Sequence, residues 1–149
     1  MNAPGTTLTR TLRSDLSEVA ALADAVAAWA EQLRIPQAAT SAMTLMLEEL
    51  VTNSIRHGYA EGGAGSSIDV RLETDGEALV ASVSDSAPPF NPLDLPAADT
   101  ASAIDERAVG GLGVHLVRRL AHSMDYRRVD GRNVVRVVRR FSTDAAARN

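Results

Sequence analysis

Residues 48–59 read Glu48-Glu49-Leu50-Val51-Thr52-Asn53-Ser54-Ile55-Arg56-His57-Gly58-Tyr59, and the rest of the chain is best understood from this stretch outward. Each residue turns a helix by about 100°. Glu49 and Asn53, four residues apart, therefore lie within about 40° of each other, one turn apart on one helix face. A carboxylate there can take a proton from an attacking hydroxyl or water, and an amide oxygen is a hard, neutral ligand suited to Mg²⁺. The same pair also occurs on solvated helix faces, so it acquires meaning only from its neighbours.

Upstream, Met43, Leu47, Leu50, Val51 and Ile55 keep helical spacing. They predict a helix that starts near Pro36, where a first turn tolerates proline, and stops at Gly58. Before it, Leu16, Val19, Leu22, Ala23, Val26, Trp29, Ala30 and Leu33 predict an amphipathic helix ending near Ile35. Ser14 or Asp15 is its expected N-cap, with Glu18 completing a capping box. Thr6 to Arg13 alternates with Leu8 and Leu12 on one face, as a short edge strand does.

Downstream, the Gly- and Ser-rich run from Glu61 to Ser67 marks a loop. Strands Ile68 to Thr74 and Ala78 to Ser84 follow, joined by Asp75-Gly76, a hairpin signal. Residues 86–109 hold neither period and are long enough to serve as an active-site lid. Gly110-Gly111-Leu112-Gly113 then opens a helix, where backbone amides and the helix dipole favour phosphate. Strands Met124 to Val129 and Asn133 to Arg140, linked by Asp130-Gly131, complete the order, and 142–149 is expected to be a frayed tail. Antiparallel strands beside segregated helices predict an α+β two-layer sandwich, with a mixed, mainly antiparallel sheet and about three helices on one face. The 149 residues suit one domain.

Composition narrows the function. Hydrophobic residues make up 45% and charged residues 23%, as in a globular protein, and aromatics only 3%. The net charge of -4, without a basic block, speaks against direct nucleic-acid binding. The lack of cysteine removes disulfides and thiolate metal sites, and the three histidines lack zinc-ligand spacing. With no leader-like N-terminus and no apolar run of membrane-spanning length, a cytoplasmic protein without membrane contact is expected.

One further segment carries chemistry: Val83-Ser84-Asp85-Ser86-Ala87-Pro88-Pro89-Phe90-Asn91-Pro92, at the exit of a strand. A carboxylate held there by a proline-stiffened turn can accept a hydrogen bond from an exocyclic amine, although an Asx turn closing the strand reads the same way. In order, EELVTNSIRHGY, DSAPPFNP and GGLGVHLVRRL resemble the N, G1 and G2 boxes of the GHKL ATPases. Together with MDYRR and GRNVVRVVRR, they are similar to the SpoIIAB/RsbW type of bacterial anti-sigma factor and serine kinase. The resemblance runs from the first strand to about Phe141.

The resemblance implies a Bergerat-type ATP-binding fold with ATP and Mg²⁺ as cofactors, and it implies roles by position. Glu49 would be the general base for a protein serine, and Asn53 the Mg²⁺ ligand. Asp85 would receive the adenine amine, and Gly111 and Gly113 would cradle phosphate. Arg107 would offset γ-phosphoryl charge, and His57 would touch the nucleotide or pack behind it. Asn133 would lie near the adenine pocket. The implied partners are a STAS-type anti-anti-sigma protein, a sigma factor and a second copy of the chain in a homodimer. The chain departs from the family at Ala87, where the G1 box usually has glycine, and its methyl would narrow the adenine pocket or reshape the backbone's approach. The competing reading is a non-catalytic, nucleotide-responsive docking module.

Overall fold

The computed structural model describes residues 6–58, 67–94 and 111–141. Strand β1 is Thr7–Arg13, helix α1 Ser17–Gln32 and helix α2 Gln37–Asn53. Strands β2 (Ser67–Thr74) and β3 (Ala78–Asp85) form the hairpin, followed by helix α3 (Gly111–Leu120) and strands β4 (Ser123–Val129) and β5 (Arg132–Arg140). The spatial order is β1-β2-β3-β5-β4, and all four pairings are antiparallel. The sheet expected to be mixed is thus antiparallel throughout the described strands.

Strict alternation builds the core. Ile68, Val70 and Leu72 of β2, Leu79, Ala81 and Val83 of β3, and Val135 and Val137 of β5 are buried, while their neighbours along each strand are more exposed. Helix α2 lies over this face between α1 and α3 and touches both β3 and β5. Met43, Met46, Leu47 and Val51 are almost fully inaccessible, each contributing about 1.5–3 kcal/mol by burial. Since successive strand residues alternate faces, Asp85 shares the inward face with Val83, and Asn133 shares it with Val135. The two are direct cross-strand partners. One pattern thus builds the apolar core and places two polar residues at its end.

The turns follow local chemistry. Gly76 takes φ 94°, and Asp75 accepts hydrogen bonds from the amides of Glu77 at 2.8 Å and Ala78 at 3.1 Å. Between β4 and β5, Asp130 and Gly131 have φ 49° and 77°, the pair of positive values that a two-residue hairpin of matching twist requires. The start of α1 differs from the expected capping box. Asp15 accepts from the Ser17 amide at 2.9 Å, but Glu18 turns to Arg13, accepting from its Nε at 2.9 Å and its backbone amide at 3.3 Å. A charged partner within reach outcompeted the reciprocal cap. At the other end, α1 stops at Gln32 and Arg34 takes φ 57°. No helix among the described residues is long and apolar enough to cross a membrane.

Candidate functional site

The end of α2 and the adjoining ends of β3 and β5 enclose a small pocket. Leu50, Asn53 and Ser54 line it from the helix side, Val83, Asp85, Asn133 and Val135 from the sheet, and Phe90 and Pro92 from the segment after β3. Beyond Asn53 the helix widens into one π-helical turn, Ser54–Gly58, a deviation that is frequent at functional sites.

Asp85 is 6% exposed and well supplied with donors. Its Oδ2 accepts from the Ser54 hydroxyl at 2.8 Å. Its Oδ1 accepts from Asn133 Nδ2 at 2.8 Å and from the Ala87 amide at 3.1 Å. These bonds hold the carboxylate ionised face inward and leave part of its acceptor capacity for a donor in the pocket.

Asn133 is the junction of the site. Besides Asp85, its Nδ2 reaches Pro88 O at 3.0 Å and Ala87 O at 3.3 Å. Its Oδ1 accepts from the Tyr126 hydroxyl at 2.6 Å, Arg128 Nη1 at 3.1 Å and the Phe90 amide at 3.2 Å. Arg128 Nη1 also donates to Ala87 O at 2.7 Å. The turn after β3 is thereby fastened to β4 and β5.

Asn53 presents the opposite case. It is 5% exposed, and its Nδ2 is buried without a hydrogen-bond partner. An unpaired buried donor costs about 1–3 kcal/mol, which a phosphate oxygen or water at the pocket would relieve, while the same side chain's Oδ1 can ligate Mg²⁺. The residues present fit a Mg²⁺-bound phosphate chain, since Mg²⁺ takes few ligands from protein and the rest from phosphates and water. Glu49 lies one turn earlier on α2, half-buried, and makes no hydrogen bond or ion pair with any described residue.

The structure thus brings Asn53 and Asp85 together and leaves Glu49 one turn away. Gly111 and Gly113 occupy the first turn of α3, whose amides lack intrahelical acceptors. The backbone of His57 is in the π-helical turn. Arg107, most of the proposed lid and the tail lie outside the described residues. The Arg118 guanidinium donates to Leu93 O and so joins α3 to the short 3₁₀ turn Pro92–Asp94 that follows the pocket wall.

Ala87 behaves differently from the sequence expectation. Arg34 and Asp130 are the non-glycine residues with positive φ among those described, so the Ala87 backbone suits any residue, and Ala87 is not among the residues lining the pocket. The narrowing comes instead from Phe90 and Pro92. The pocket holds about 20 Å³, room for a water molecule but not for a purine.

Sequence reasoning missed Ser54, Tyr126 and Arg128 as parts of this network. Strand parity was the available signal for Tyr126, whose register partner is Val135. Ser54 falls one residue past Asn53, and only the widened turn directs its hydroxyl to Asp85.

Comparison with known proteins agrees with this geometry. A family model described as histidine kinase-like ATPase domain matches residues 12–139. The serine/threonine-protein kinase BtrW of Bordetella bronchiseptica is 25% identical over 105 residues, covering 70% of this chain and 69% of that protein. Among solved structures, the RsbU and RsbW domains of Rv1364c from Mycobacterium tuberculosis superpose with a TM-score of 0.62 at 19% identity, covering 93% of this chain. The chain spans only 33% of that longer protein. The SiaB-SiaC complex from Pseudomonas aeruginosa gives a TM-score of 0.63 at 13% identity, covering 88% of each chain. At these identities the structural likeness is one of fold.

Proposed function

The chain belongs to the histidine kinase-like ATPase domain family, and from that premise we propose that it is an ATP-dependent protein-serine kinase acting as an anti-sigma factor in partner switching. Its phosphoacceptor is a STAS-domain antagonist. When that antagonist is phosphorylated or absent, the chain sequesters a sigma factor, working as a homodimer. The observation that carries this reading is the pocket joining Asn53, with its orphaned amide, to the buried Asp85, one helical turn from the unengaged Glu49.

In this reading Asp85 accepts from the adenine amine. Gly111 and Gly113 offer backbone amides to phosphate, and Arg107 offsets its charge. Asn53 holds Mg²⁺, which would neutralise the phosphates and offset the charge that develops on transfer. The acceptor serine oxygen forms a bond to the γ-phosphorus as the bond from that phosphorus to the β,γ-bridging oxygen breaks. The hydroxyl proton passes to the Glu49 carboxylate and ADP leaves. Positioning and electrostatics supply most of the rate.

The test is transfer of labelled γ-phosphate from Mg-ATP to a purified STAS protein encoded beside this gene. Glu49→Gln should lower transfer by a factor of about 10² to 10⁴, the usual contribution of a general base, while ATP still binds. Transfer by the variant at the unaltered rate refutes the assignment. A second reading, a docking module without catalysis, draws on the narrow pocket and the saturated Asp85 oxygens; ATP-responsive partner binding that Glu49→Gln leaves intact, with no transfer by the unaltered protein, favours it.

A further inference from the structure

What closes the pocket is a stretch of main chain, and that stretch hangs on one side chain. Phe90 and Pro92 form the wall that leaves only about 20 Å³ inside. The backbone leading to them meets the Asn133 amide three times, through Ala87 O, Pro88 O and the Phe90 N–H. Asn133 is in turn fixed in orientation. Its Oδ1 is bound by the Tyr126 hydroxyl at 2.6 Å and by Arg128 Nη1 at 3.1 Å, and its Nδ2 by Asp85. With donors on the oxygen and acceptors on the nitrogen, a flipped amide would oppose like groups at each contact.

A purine ring cannot share this space with the wall as it stands. Its entry requires the turn at 87–92 to move outward, and the weakest link of the turn to Asn133 that lies nearest the wall is the 3.2 Å bond from the Phe90 amide. We propose that Asn133 is a positioning residue that sets nucleotide affinity by holding this turn closed over the base pocket, with Tyr126 and Arg128 holding Asn133. The inference rests on the nucleotide-binding reading above and adds to it the residue that governs access. Only the fraction of molecules with the turn released is competent to bind, and apparent affinity falls by that fraction.

Asn133→Thr keeps a β-branched residue in the strand and a hydroxyl facing Asp85, but it is too short to hold Pro88 O and the Phe90 amide together. Tyr126→Phe removes one hydroxyl and changes no residue that lines the pocket. The measurements are calorimetric titration of the purified full chain with Mg-ATP and with ADP, and stopped-flow association. Amide hydrogen exchange at Phe90 reports the turn directly. Asn133→Thr should tighten both nucleotides by about tenfold and Tyr126→Phe by about threefold, the effect of losing one or two modest hydrogen bonds. The gain should appear in the association rate, with faster exchange at Phe90, and in a kinase assay as a lower KM for ATP at unaltered kcat.

Folded variants that bind nucleotide no more tightly than the unaltered chain overturn the proposal. Tighter binding that resides in slower dissociation, with Phe90 exchange unaltered, overturns it as well. A different failure distinguishes the underlying reading: if the unaltered chain and both variants bind no nucleotide although Phe90 exchange accelerates in the variants, the nucleotide site itself is refuted, and the gate with it.

Discussion

Replacing Ser54 with alanine removes a single oxygen, and the structure says where its loss is felt. The hydroxyl donates at 2.8 Å to Asp85 Oδ2, 31 residues away in sequence and on the far side of the pocket. Asp85 is 6% exposed, so water replaces the lost donor poorly. A hydrogen bond to a charged group contributes about 1.5–3 kcal/mol net, and a loss of about 2 kcal/mol is expected at this site. For a chain of this length that corresponds to a fall in Tm of about 4–8 °C. Asp85→Asn supplies the control. An asparagine amide can keep the bonds from Asn133 and Ala87 on its oxygen, and the Ser54 hydroxyl can rotate to accept from its nitrogen. In that background Ser54→Ala breaks a bond between neutral groups, which costs only about 1 kcal/mol. Urea unfolding of the four proteins of this cycle should therefore give a coupling of about 1 kcal/mol between the two positions. A loss below about 0.5 kcal/mol for Ser54→Ala alone, the size of an ordinary surface change, would refute the claim that this hydroxyl holds Asp85.

Three further outcomes are expected. Gly131→Ala should destabilise the protein by about 1–2 kcal/mol in urea unfolding, because a Cβ there meets nothing within 4 Å and the cost is that of a left-handed backbone alone; an unaltered midpoint would contradict the assigned turn. The amides of Ser17 and Glu77 and the side chain of Arg13 hold Asp15, Asp75 and Glu18, respectively, below their ordinary values of 3.8, 3.8 and 4.5. Lowered folded values contribute stability that is present above those ordinary values and lost as pH falls through the folded ones, so urea midpoints should drop in that acid window, and drop less steeply in Asp75→Ala. Met46→Ala, at 0% exposure beneath α2, should cost about 2–5 kcal/mol by the same assay; a value under about 1 kcal/mol would mean that α2 does not seal the core.

Much of the fold was legible because it rests on local rules. Alternation marked β2, β3 and β5 to within a residue, and Asp75-Gly76 and Asp130-Gly131 marked their turns, since positive φ leaves few residue choices. Helix spacing found α1 and α2. What escaped was decided by competition between partners. The capping box failed because Arg13 lay within reach of Glu18, and no periodicity encodes that preference. The π-helical turn is a one-residue change in hydrogen-bond register, and it is this turn that makes Ser54 part of the site. Ala87 illustrates the converse, since a departure from a family pattern suggested a constricted pocket, whereas the constriction is made by Phe90 and Pro92, and Ala87 takes a backbone conformation open to any residue. Asn53 and Asp85 meet as their positions suggested. Glu49 stays one turn off, where an incoming protein hydroxyl would need it.

The register between β3 and β5 also fixes a point in time. Asp85 and Asn133 are directly opposed across the sheet yet 48 residues apart in the chain, and everything between them, α3 and β4 included, must be made before they can meet. Closing a loop of that length is entropically slow, and its reward arrives only when the strands pair. A chain emerging from the ribosome therefore has its α2 residues and Asp85 long before it has a pocket, and β5 delivers the last wall. The site is in this sense a report on completed synthesis: a fragment ending before Asn133 would carry the first two motifs intact and still have nowhere for a ligand to sit.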